Sequence, residues 1–228
     1  GNKGQHHRQH AGRRARLPEC LTPKDAAAEL RPGHGAAAET ALRLDDAAAD
    51  FERRTGVKPL VGGAHPNLGT HNCLVALGGG AYFEILSRDP AQPDPPRLWM
   101  GMESLDGPTM LTWATWCDRG GEMAATVSKA RAAGYDPGDV EDFSRAKPDG
   151  SVLRWSLSYR HYTRALMGPG AGVVPFLIDW KDTTSPAATA PAGCELIELR
   201  AEASASSFDA VERHLRAVLL QDRGVIEG

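Results

Sequence analysis

No stretch of this chain approaches the roughly 18 uninterrupted apolar residues that a membrane span requires, so no membrane partner is expected. Neither sign of charge is in surplus: 26 Lys and Arg against 29 Asp and Glu leave a formal net charge of -3. Both signs are interspersed along most of the chain, so a broad basic face for nucleic acid is not implied. The four cysteines, Cys20, Cys73, Cys117 and Cys194, lie far apart and never form the C-x-x-C spacing of zinc or redox sites. A reducing, cytoplasmic setting is the expectation. No G-x-S-x-G elbow exposes a nucleophilic serine, and the GGG at residues 78–80 lacks both the G-x-G-x-x-G context and a following helix, which argues against a phosphate cradle.

Acids and apolar residues are also nearly missing from the first twenty residues, "GNKGQHHRQHAGRRARLPEC". Residues 1–32 are expected to form a disordered basic tail. Organelle targeting is the sharper reading, although the helical apolar face of a presequence is lacking.

What is present begins with "DDAAADFERRTGV", where Asp45 or Asp46 can cap a helix, Ala48 and Phe51 share a face, and Gly56 stops it. Two strand-like runs, 70–77 and 81–86, flank the triple glycine and predict a hairpin. With a loop of Gly78 to Gly80, Leu77 faces Ala81, Val75 faces Phe83 and Cys73 faces Ile85, making one side of the hairpin apolar. The other side carries Thr70, Asn72, Leu74, Ala76, Tyr82, Glu84 and Leu86, the mixture expected of a pocket wall. This register turns His71 away from Glu84 and buries Cys73 as packing.

The Pro- and Gly-rich residues 90–108 form a linker or lid, after which the pattern restarts. "TMLTWATWC", "SVLRWSLSYR" and "GVVPFLIDW" predict strands, and "GEMAATVSKARAAGY" a helix with Met123, Val127 and Ala130 on one stripe. "CELIELRAE" predicts one more strand. Phe208, Val211, Leu215 and Val218 then recur at helical spacing, although "AVLLQDRGVIEG" could equally begin a hairpin.

"DFERRTGVKPLVGGAHPNLGTHNCLVALGGGAYFEILSRDP", followed by "PFLIDW" and "TAPAGCELIELRAE", resembles the glyoxalase-like domain branch of the vicinal oxygen chelate superfamily over roughly residues 45–205. The resemblance implies an α+β fold: paired βαβββ modules forming a curved mixed sheet around a cavity, with helices outside. Residues 33–205 would be that domain, with module one at about 33–89, a linker at 90–108 and module two at about 109–182, followed by an additional strand and helix or hairpin within 194–228. It also implies a divalent metal ion held by residues of the first and last strands of each module, polarising oxygens of a small substrate.

Glu84 occupies the last-strand position of module one. Glu84 and His65 are the expected catalytic pair, and Glu84, His65 and His34 the expected metal ligands. His34 stands farther from the Asp45 helix than the family pattern has it. Asn72, Thr70, Tyr82, Trp155 and Trp180 are the expected substrate-binding residues, with Thr70 and Asn72 orienting Glu84. Buried in a strand, Glu84 needs a metal, hydrogen-bond donors or a cation such as Arg154. In module two "LTWATWC" offers no ligand, and Asp179 of "PFLIDW" serves only if it faces inward. Two functions remain open: a metal-dependent lyase, isomerase or dioxygenase acting on a small oxygen-bearing molecule, or a metal-free protein that sequesters a small ligand. A homodimer is compatible with either, and a degenerate relative without an active cavity is the blander alternative.

Overall fold

The computed structural model of the chain describes residues 27–30, 35–41, 43–66, 68–93, 102, 105, 107–116, 123–146, 150–159 and 172–219. In chain order these form β1 (Ala27–Leu30), β2 (Gly35–Ala41), α1 (Leu44–Thr55), β3 (Leu60–His65), β4 (Thr70–Ala76), β5 (Tyr82–Arg88), β6 (Thr109–Trp116), α2 (Met123–Ala132), β7 (Val140–Ala146), β8 (Val152–Ser158), β9 (Phe176–Asp179), β10 (Leu199–Glu202) and α3 (Phe208–Leu219).

Eight strands make one mixed sheet in the order β3-β4-β5-β2-β6-β9-β8-β7. The order reads as two copies of one unit. In each, the first strand runs parallel to the last (β2 with β5, β6 with β9), and the two middle strands extend the sheet outward. The units join through antiparallel β2 and β6, with an irregularity between Ala38 and Glu39. This is the paired βαβββ arrangement of the expected α+β fold. At the far ends of the row, the Arg145 guanidinium of β7 donates to the Gly62 carbonyl of β3, so the sheet curls until its outer strands meet.

The β4–β5 hairpin has the register its apolar pattern demands. Val75 pairs with Phe83, Cys73 with Ile85 and Leu74 with Glu84, and the Leu77 amide donates to the Ala81 carbonyl at 2.9 Å. Gly78, Gly79 and Gly80 all have positive φ (76°, 56° and 84°), conformations that side chains disfavour, so the tight loop needs glycine. The outer face of this hairpin packs under α1, with the Phe51 and Phe83 rings stacked at 5.5 Å and Cys73, Val75 and Ile85 buried around them. Full burial of a side chain such as Phe83 contributes about 1.5–3 kcal/mol. Gly56 ends α1 in the left-handed conformation, as expected. The capping expectation is corrected: Arg43 holds the N-cap position without a side-chain bond, and Asp45 and Asp46 lie in the first turn, where they complement the helix dipole.

A second outer core joins Met123 and Val127 of α2 to Val211, Leu215 and Val218 of α3 and to Leu177 of β9. The C-terminal pattern is thus helical through Leu219, while the alternative turn at 222–224 lies outside the described residues. β10 is shorter than "CELIELRAE" because the Leu196 amide bonds the Leu77 carbonyl, and residues 191–198 cross the end of the hairpin instead of joining a ladder. The partner of β10 is β1, so residues 27–30 of the segment expected to be an unstructured tail are paired.

Candidate functional site

On the inner face of the curl, strand pairing assembles a polar group from residues distant in sequence. His65 pairs with Thr70 across β3 and β4, Gly63 with Asn72, and Asn72 with Leu86. Side chains of one face alternate along each strand, which brings His65, Thr70, Asn72 and Glu84 to the same side. Thr70 Oγ1 lies 2.9 Å from His65 Nδ1, and Asn72 Nδ2 lies 3.3 Å from His65 Nε2. Asn72 Nδ2 donates to Glu84 Oε1 at 2.6 Å, and the Glu84 oxygen is 3.8 Å from His65 Nε2. With the amide hydrogens directed at Oε1 and Nε2, the imidazole proton belongs on Nδ1, donated to the threonine hydroxyl. Gln92 fixes the histidine from behind, its amide bonding the His65 carbonyl at 3.3 Å and Asp89 Oδ2 at 2.8 Å.

Glu84 is only 9% exposed. It sits among Leu74, Tyr82 and Leu86 of the inner core, neither in open solvent nor beneath α1. Burial raises its pKa, against the smaller lowering effects of the Asn72 hydrogen bond and the Arg145 charge. His65 moves the other way, to about 4, because burial penalises the imidazolium and the charges of Arg145 and His71 oppose it. At neutral pH the imidazole is uncharged. Burial, and secondarily the Glu84 charge, also hold the Tyr82 phenol well above its ordinary range.

The two glycines before His65 have distinct steric tasks. A Cβ on Gly62 would overlap Asn72 Oδ1, and one on Gly63 would overlap Arg145 Nη1. Gly63 also has φ +128°, beside the irregularity between Val61 and Gly63. Asn72 Oδ1 is buried and accepts no hydrogen bond among the described residues.

The other expected substrate-binding residues form an aromatic wall next to this group. Tyr82 meets Trp180 edge-on at 6.4 Å, Trp155 lies 5.6 Å from Trp180, and Phe143 stacks on Trp155 at 5.9 Å. His34 lies outside the described residues. His71 is on the opposite face of β4, as the register required. Asp179 faces away from the inner core, which its neighbour Ile178 joins, and its carboxylate accepts from the Lys181 amide at 2.8 Å. The expectation of Arg154 as counter-charge is corrected: Arg154 is exposed on β8, and the cation acting on Glu84 is Arg145. Arg145 escaped the sequence reading because β7, "VEDFSRA", is too polar to register as a strand. The turn signature "KPDG" before the alternating "SVLRWSLS" could have revealed it as the first arm of a hairpin.

The donors described here do not fit the metal centre that the family resemblance implies. Among the described residues no group of three or more His, Cys, Asp or Glu could hold a metal ion. Glu84 has Ala38 beside it on β2, Ala38 has Thr112 beside it on β6, and β9 contributes Ile178 to the inner face. Glu84 Oε1 already accepts from the Asn72 amide, and the cation whose charge acts on the carboxylate is the Arg145 guanidinium.

The model of the glyoxalase-like domain matches residues 36–219. No curated protein matches the chain. Among solved structures, a hypothetical protein from Staphylococcus aureus aligns at 15% identity and TM-score 0.46, covering 65% of this chain and 58% of that one. This chain therefore spans less than two thirds of that protein's length. Methylmalonyl-CoA epimerase from Mycobacterium tuberculosis aligns at 13% identity and TM-score 0.39, covering 70% and 91%. A Streptomyces coelicolor methylmalonyl-CoA epimerase variant in complex with 2-nitronate-propionyl-CoA gives 13% and 0.39, covering 69% and 99%. The matched family span takes in both βαβββ units, from the second residue of β2 to the end of α3, and the chain belongs to the glyoxalase-like domain family.

Proposed function

We propose that the inner face of the curled sheet is the active site of an isomerase or lyase, in which Glu84 and His65 exchange a proton with a small oxygen-bearing substrate. The observation that carries this reading is the buried chain Glu84–Asn72–His65, joined at 2.6 and 3.3 Å. A raised carboxyl pKa brings Glu84 closer to neutral pH, where a group can both take and return a proton. His65 stays neutral through its lowered pKa, and its Nε2 lone pair, held by the long 3.3 Å bond from Asn72, can take a substrate proton once that amide gives way. Thr70 holds the ring through Nδ1, and Asn72 sets the Glu84 carboxylate. Tyr82, Trp155 and Trp180 exclude water and hold the apolar part of the substrate.

The test reads proton transfer without needing the product. The protein is incubated in deuterium oxide with small 2-oxo acids, 2-hydroxy acids and vicinal diketones, and deuterium entry at the carbon beside the oxygen is followed by NMR. Exchange is expected with the wild type and a fall of at least about 100-fold in Glu84→Gln, the size of a lost acid–base group. Exchange should persist after chelator treatment, with less than one divalent metal per chain by elemental analysis. Loss of exchange on chelation would show that donors outside the described residues complete a metal centre.

A second reading, a metal-free protein that sequesters a small ligand, is favoured by the aromatic wall. Its signature is ligand binding with no exchange in the wild type.

A further inference from the structure

Arg145 is the least satisfied charge at the site. Its guanidinium has five N–H donors, yet among the described residues it makes one hydrogen bond, to the Gly62 carbonyl, and no ion pair. It is half-buried, and burial lowers its pKa while Glu84 opposes that effect. A partly desolvated cation with spare planar donors is suited to a carboxylate, which accepts two parallel bonds from such a fork. Glu84 is not that partner: among the described residues its carboxylate forms no ion pair with an arginine.

Two further observations specify the ligand. Asn72 Oδ1 is an unused acceptor on a side chain only 4% exposed, and it lies against Gly62, whose carbonyl Arg145 holds. A buried carbonyl oxygen without a partner is costly, and a ligand hydroxyl at that position would recover the cost. On the same face as Arg145, Phe143 leads through the buried Trp155 to Trp180 and the buried Tyr82, and the half-buried Phe143 and Trp180 are the members of this cluster that can meet an apolar body.

We propose that the site takes a small 2-hydroxy carboxylate with an apolar or aromatic body, its carboxylate on Arg145 and its hydroxyl donating to Asn72 Oδ1. This rests on the reading of the inner face as the active site and names the substrate class for it. In that pose the carbon between the two oxygens is presented to Glu84 and His65. Gly62 and Gly63 admit the two binding groups because neither carries a Cβ.

Three probes dissect the pose on the full chain: mandelate, mandelamide, which lacks the negative charge, and phenylacetate, which lacks the hydroxyl. Binding is followed by tryptophan fluorescence and thermal shift. Mandelate is expected to bind at least about 10-fold tighter than either of the others, one good charged or buried hydrogen bond being worth that factor. Arg145→Gln should erase the preference for mandelate over mandelamide while keeping that for mandelate over phenylacetate, and Arg145→Lys should restore part of the former. Should Arg145→Gln fail to fold, the wild-type comparison stands by itself. Equal affinity for mandelate and mandelamide, no binding of any probe, or an acid preference that survives in Arg145→Gln would overturn the proposal. In each of those cases, deuterium exchange that still depends on Glu84 would leave the proton-transfer reading intact, and only the substrate class would fall.

Discussion

At the scale of single residues, His65 ties the site to the stability of the fold. Its pKa is about 4 in the folded chain against an ordinary 6.5, so between those values the unfolded chain binds more protons. Stability from this group is fully present above pH 6.5 and is lost as pH falls toward 4. The loss between pH 7 and pH 5 should be about 2 kcal/mol. Urea unfolding at the two pH values measures it, and His65→Gln should abolish that component of the difference. Glu84 acts in the opposite sense: its raised pKa means stability that is present at low pH and lost as pH rises through the folded value. A wild-type curve with no His65-dependent fall below pH 6.5 would contradict the buried, neutral imidazole. Much of this was legible in the sequence. Alternation through a fixed glycine loop was enough to put Glu84, Asn72 and Thr70 on one face, because a one-residue slip would have driven a carboxylate into the α1 core. Arg145 was not legible: it approaches through a contact between strands 83 positions apart, and no local pattern encodes such a contact.

Among elements, β3 is the most tightly constrained. It is an edge strand whose two consecutive glycines leave room for Asn72 and Arg145. Gly63→Ala puts a methyl group on a residue at φ +128° and against Arg145 Nη1. A stability loss of roughly 1–3 kcal/mol is expected from the backbone alone. Displacing the guanidinium should also weaken mandelate binding, a defect that Gly56→Ala, equally left-handed but with open space around its Cβ, should not share. Denaturation and fluorescence titration of the two variants separate backbone strain from displacement. The charged strand β7 and the short β10 show why element reading fell short. One is stabilised by its place beside β8 and its contact with β3, while the residues before the other are diverted by hydrogen bonds to the hairpin.

Across the whole molecule, the two units that mirror each other in topology differ in chemistry. Glu84 on β5 has no acidic equivalent on the inner face of β9, where Ile178 sits, and His65 and Asn72 also belong to the first unit. The second unit supplies Arg145, Phe143, Trp155 and, just past β9, Trp180. Trp180→Phe removes a buried indole N–H that has no acceptor among the described residues. It should raise KM for an aromatic substrate several-fold with kcat little changed, since it alters grip rather than proton transfer. A matching loss in kcat would instead give the indole a part in the reaction.

With the inner face as the active site proposed above, the seam between β2 and β6 divides labour as well as joining strands. A unit whose described residues include none of the proposed proton-transfer groups is free to be recut for shape. Ligand preference in such a protein can be retuned by altering its C-terminal half without rebuilding the chemistry, and a designer seeking a new substrate should begin there.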